Sequence, residues 1–171
     1  DLTFAQAPLH IFVKFKDDDG QVWNLEPTSG GGFTRDAKYR RDLPMSDEAV
    51  SKGTYLRALS ETENAAVIAA FLVEHFIATG RYKDAIVAAD VILRHSPRDV
   101  YVHLKRGTAF YYLLKRDFLA HYKSESDMPP DVHAMASMLY HENLSAFAKA
   151  ESLGWRETDG QKPKLPEGAK Q

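Results

Sequence analysis

Cysteine is absent from all 171 residues. That excludes disulfides and cysteine-ligated zinc, and it excludes a complete thiol enzyme within this chain. Long apolar runs are missing as well. The longest, residues 65–73, is about half of the roughly 20 residues that a membrane-crossing helix needs, and it reads as buried helix. Charge of one sign is missing too: 22 Lys and Arg stand against 24 Asp and Glu, for a net −2. The short basic cluster Lys38-Tyr39-Arg40-Arg41 is surrounded by acids, so neither nucleic acid nor an anionic membrane is expected as a partner. No targeting segment is visible, and Asp1 in place of Met points to a true start further upstream. The compartment therefore stays open, with the cytoplasm as the default. No metal and no cofactor are expected. Asp17-Asp18-Asp19-Gly20 resembles part of a calcium loop, but Phe15 falls at its first ligand position. His133 and His141 are two helical turns apart, and there is no HExxH. The glycines after Thr28-Ser29 lack the lysine and the helix of a phosphate-binding loop, and read as a flexible connection.

What is present divides into two textures. Residues 10–16 and 21–26 are rich in aromatic and β-branched types and flank the turn residues 17–20, which predicts a β-hairpin. Ile11, Val13 and Phe15, with Trp23 and Leu25, form the face expected to meet a core. His10, Phe12, Lys14, Asn24 and Glu26 lie on the other face. A short helix is expected after the cap residue Ser46. Ser60 and Glu63 have capping-box spacing, and from there the period becomes helical. Helices are expected over 63–79, 82–95, 99–115 and 131–153, with a ragged helix near 117–124. The tail 156–171 has almost no apolar residues and is expected to be disordered.

Residues 66–99 resemble one tetratricopeptide repeat. Leu72 and Phe76 stand at the large positions of the first helix, Gly80 at the turn, Tyr82 after it, Ala85 at the close approach and Pro97 at the end. The next unit keeps Gly107 and Phe110 but has Leu114 for the glycine and Arg116 for the tyrosine, so it is degenerate. The resemblance implies a surface for a protein or peptide partner, with Phe110, Tyr111 and Tyr112 as candidate groove residues. The plainer reading packs these aromatics into the core.

The hairpin carries the candidate chemistry. With Lys16 paired to Gly20, His10 falls directly opposite Glu26, and a carboxylate beside a histidine fixes its tautomer and orientation. The stretches "LHIFVKF" and "DGQVWNLEPTSGG" resemble the second half of a bacterial transglutaminase-like core, of the papain-like thiol hydrolase type. The resemblance implies that His10 is the catalytic histidine and Glu26, in place of the commoner aspartate, its acid partner. It also implies a cysteine nucleophile upstream of the histidine strand. Only nine residues precede His10 and none is cysteine, so no catalysis is expected of this chain alone. Asn24, between the two, is a weaker binding candidate.

The expected fold is α+β and mostly α. A hairpin and linker over 1–60 form a partial transglutaminase-like core, followed by a tetratricopeptide-like αα-hairpin array over 61–155 and a tail over 156–171. An uncovered apolar hairpin face would favour self-association.

Overall fold

A computed structural model describes residues 2–28 and 31–161. The chain is mixed α/β and mostly helical, with a four-stranded antiparallel sheet at its N-terminal end followed by helices. It forms two compact units, one holding the residues up to Leu59 and those from Gly154 onward, the other Ser60–Leu153. Among the described residues, no helix is long and apolar enough to cross a membrane.

In the first unit the strands run in sequence order as a meander: β1 (Leu2–Ala7), β2 (His10–Lys16), β3 (Val22–Leu25) and β4 (Phe33–Thr34). The outer strands lie beyond the expected hairpin. β1 reads weakly because Ala5, Gln6 and Ala7 have low strand propensity, yet all of it pairs with β2, from Leu2↔Phe15 to Ala7↔His10. Pro8 and Leu9 make the turn, with Leu9 at a φ of +58°. The free edge of β1 is covered by the chain itself: Leu56 N–H donates to Gln6 O at 2.9 Å and Leu59 N–H to Phe4 O at 2.9 Å.

The hairpin between β2 and β3 differs in register from the expected one. Lys16 pairs with Val22 and Lys14 with Asn24, so the pairing is displaced by two residues. Gly20 takes a φ of +82° as the last residue of the loop instead of flanking it. Asp17 closes that loop: its backbone N–H donates to Gln21 O, and its carboxylate accepts from Gln21 N–H at 2.7 Å and Trp23 Nε1–H at 2.8 Å. A one-residue slip would have turned every side chain over, whereas a two-residue slip keeps each on its face.

The face that meets the core is the opposite of the expected one. Phe12 is 1% exposed and packs with Ala5, Ala7, Tyr39, Ala49, Tyr55 and Leu56, whereas Ile11, Val13, Phe15, Trp23 and Leu25 are only half-buried. Both faces carry apolar groups, so alternation alone does not choose between them. The choice lies with small neighbours: Ala5 and Ala7, beside Phe12 and His10, leave room for Tyr39 to stack on Phe12 at 4.1 Å.

Tyr39 comes from α1 (Asp36–Asp42), a helix not expected from the sequence; α2 (Asp47–Ser51) follows with the expected Ser46 cap. Part of the tail also belongs to this unit. Residues 156–161, expected to be disordered, form a turn in which Asp159 is 9% exposed and accepts from Tyr55 O–H and Arg156 N–H. One carboxylate organises a short polar segment that has no apolar pattern to announce it. Residues 162–171 of the expected tail, and Ser29 and Gly30 of the glycine-rich connection, lie outside the described residues.

The second unit contains α3 (Glu61–Ala78), α4 (Tyr82–His95), α5 (Val100–Leu114) and α6 (Pro130–Ser152). The capping box at α3 forms as spaced: Ser60 Oγ accepts from Glu63 N–H, and Glu63 accepts from Ser60 N–H at 2.9 Å. Gly80, at a φ of +74°, turns the chain into α4. Alanines set the close approach: Ala66, Ala70, Ala85, Ala89 and Ala109 share a core with Val73, Ile92 and Val102. Gly107 lets α5 meet α6, because a Cβ there would lie 2.8 Å from the Phe147 ring. After α5 the expected ragged helix is a wide turn over Lys115–Leu119 and a short tight one over Glu125–Asp127.

Candidate functional site

His10 and Glu26 meet. His10 opens β2, and Glu26 follows the last residue of β3, with its backbone N–H donating to Gly32 O at 2.9 Å. The observed register places the two diagonally rather than opposite. A diagonal pair has its Cβ atoms about 7–8 Å apart, beyond a direct neighbour's 4.5–5.5 Å. The longer glutamate side chain spans that gap, and Glu26 Oε2 lies 2.7 Å from His10 Nε2.

Glu26 is surrounded by donors. Thr28 gives its backbone N–H at 3.0 Å and its hydroxyl to Oε1; Tyr39 O–H donates to Oε2 at 3.0 Å. Burial alone would raise the Glu26 pKa, but the two bonds from Thr28, with those from His10 and Tyr39, outweigh it and hold the carboxyl at about 2. Glu26 is therefore ionised throughout the neutral range, an acceptor fixed before any ligand arrives.

The ring of His10 sits beside Tyr39, with centroids 5.6 Å apart, and 6.4 Å from Phe12. Its side chain is 23% exposed. With Nε2 committed to Glu26, the proton belongs on Nε2 and the lone pair on Nδ1. Among the described residues no hydrogen bond to Nδ1 is found. That nitrogen is the basic atom the site presents.

Asn24, the third sheet candidate, is 2% exposed and does a different job. Its amide accepts from Lys14 Nζ at 2.9 Å and donates to Asp36 Oδ1 at 2.6 Å, while Lys14 also reaches Asp36 at 2.8 Å. This triangle, buried at Lys14 and Asn24 and half-exposed at Asp36, ties α1 to the sheet and so carries Tyr39 to Glu26. Tyr39 itself was missed at the sequence level. Its only signal was an aromatic residue inside a polar cluster, which reads as surface.

The helical candidates separate. Phe110 is 7% exposed and belongs to a core with Leu113, Leu114, Met128, Ala136 and Leu139, as its plainer reading had it. Tyr111 and Tyr112 are 44% and 39% exposed, and Tyr112 stacks on Tyr82 at 5.5 Å. Among the described residues, no group of three or more His, Asp or Glu is arranged to hold a metal ion.

No family model, no curated protein and no solved structure matches this chain.

Proposed function

We propose that the first unit is the base-and-orienter half of a transglutaminase-like thiol acyl-transfer site, acting on a peptide amide or a related acyl group when a cysteine is supplied from outside these residues. The observation that carries this reading is the 2.7 Å contact between Glu26 and His10 Nε2, which leaves Nδ1 as the open base. His10 Nδ1 takes the thiol proton as sulfur attacks the acyl carbon. The C–N bond then breaks, and the same proton passes to the departing amine. Water or a second amine releases the acyl group from the thioester, with His10 accepting and returning a proton again. Glu26 stabilises the imidazolium formed at each step.

The test is the product of the coding sequence extended upstream of Asp1, assayed for amide release from a glutamine peptide. The reading expects a cysteine whose change to Ser abolishes turnover, with His10→Ala equally inactive. An upstream sequence without such a cysteine would end it. For the present chain alone, amide turnover abolished by His10→Ala would contradict the requirement for an external nucleophile.

A second reading rests on the helical unit. Ile68, Phe71 and Leu72 on α3 are 61%, 59% and 49% exposed, and Tyr111 and Tyr112 on α5 are exposed as well. Such side chains suit a tetratricopeptide-type scaffold that takes an apolar peptide. Panning of a peptide library on the full chain would enrich a sequence whose binding falls in Phe71→Ser and Tyr112→Ser; no enrichment would count against it.

A further inference from the structure

The acid of this site is held by groups from three places in the chain. Thr28, two residues on, takes Oε1 with a backbone and a side-chain donor. Oε2 is shared between His10 Nε2 and the Tyr39 hydroxyl. Tyr39 is 3% exposed and its ring lies 4.1 Å from that of Phe12, so the hydroxyl has little freedom to turn elsewhere. Its helix is anchored to the sheet by the Lys14–Asn24–Asp36 triangle. Burial, and then the Glu26 and Asp36 carboxylates, push the phenol above its ordinary range, so the Tyr39 hydroxyl keeps its proton and donates at neutral pH.

We infer that Tyr39 is a positioning residue: by fixing the Oε2 side of Glu26 it holds His10 in the Nε2–H tautomer with Nδ1 as the basic nitrogen. A glutamate has three side-chain torsions and lies here beyond the end of a strand. Thr28 restrains one oxygen but leaves the carboxylate free to tilt about it. The Tyr39 bond supplies the second fixed point, and two points set the direction of the lone pair that His10 meets. This inference deepens the proposed function and rests on it only for its catalytic meaning; the tautomer lock is a property of the chain as it stands.

The experiment is long-range ¹H–¹⁵N spectroscopy of the His10 ring in the full chain, at a pH where imidazole is neutral. The wild type is expected to show the Nε2–H pattern. In Tyr39→Phe the ratio of Nε2–H to Nδ1–H should fall about threefold or more, the size expected for losing one typical hydrogen bond. Glu26→Gln should lose the lock, and adding Tyr39→Phe to it should change nothing more. A ratio unchanged in Tyr39→Phe, or an equal change in the Glu26→Gln background, would overturn the inference. So would a Tyr39→Phe chain that fails to fold, because Phe keeps the ring against Phe12 and only a structural hydroxyl would then be at stake. If the spectra behave as expected while the upstream-extended protein shows no cysteine-dependent turnover, the functional reading falls and the positioning role stands.

Discussion

The inner face of the sheet and the core of the helical unit are buried by opposite means. Around Phe12 the sheet buries a lysine and an asparagine and holds a half-buried carboxylate–histidine pair against the buried Tyr39, and among the described residues no buried side-chain polar atom lacks a partner. The α3–α5 core is alanine, valine and isoleucine, packed so closely that small size is its main requirement. The first arrangement is costly to disturb at any single donor, because each loss strands a buried group. The second tolerates an unpaired polar group poorly and is sensitive to added volume. Polar groups are thus held rigidly in the sheet unit, and the helical unit is the better guide to how apolar segments of the chain pack.

The sharpest break in this comparison uses a glycine from each unit. At Gly154, with a φ of +96°, an added Cβ would lie 2.7 Å from the backbone N and Cα of Ala49. Backbone does not give way, so Gly154→Ala is expected to cost about 3 kcal/mol or more in urea unfolding. At Gly107 the clash is with side-chain atoms of the Phe147 ring instead of backbone, and alanine regains about 1 kcal/mol of helix propensity. Gly107→Ala should therefore cost only about 1 kcal/mol, and a loss as large as that of Gly154→Ala would show that the α5–α6 contact is as unyielding as backbone.

Between these lies the pH dependence of the sheet unit. Glu26 has its folded pKa depressed from 4.5 to about 2. Its contribution is complete above the unfolded value and is lost as pH falls from about 4.5 toward 2. Stability of the wild type should drop through that window by on the order of 2 kcal/mol more than that of Glu26→Gln, followed by unfolding at each pH. Parallel curves would mean that the four donors do not favour the ionised form.

The smallest expected effect is at the helical unit's first cap. Ser60→Ala removes the side-chain half of the capping box and should cost about 1 kcal/mol, read as a lowered denaturant midpoint with an unchanged slope.

Much of this was legible in the residues. Ser46, Ser60 and Gly80 mark helix ends by local chemistry that needs no distant partner: a side-chain oxygen for an orphan N–H, or a glycine for a positive φ. The pairing of His10 with Glu26 was legible because parity survives a two-residue slip. What failed to show were β1, whose alanines have no strand signature, and α1, whose seven residues are mostly polar.

The sequence by itself determined the central hairpin, the long helices with their ends, and the shared face of His10 and Glu26, since each follows from nearest neighbours and side-chain period. Tertiary structure decided which sheet face is buried, how far the hairpin register is displaced and which residue completes the site. Those depend on contacts between segments far apart in the chain: Ala5 beside Phe12 makes space, Asp36 clasps Lys14 and Asn24, and Tyr39 then falls within reach of Glu26.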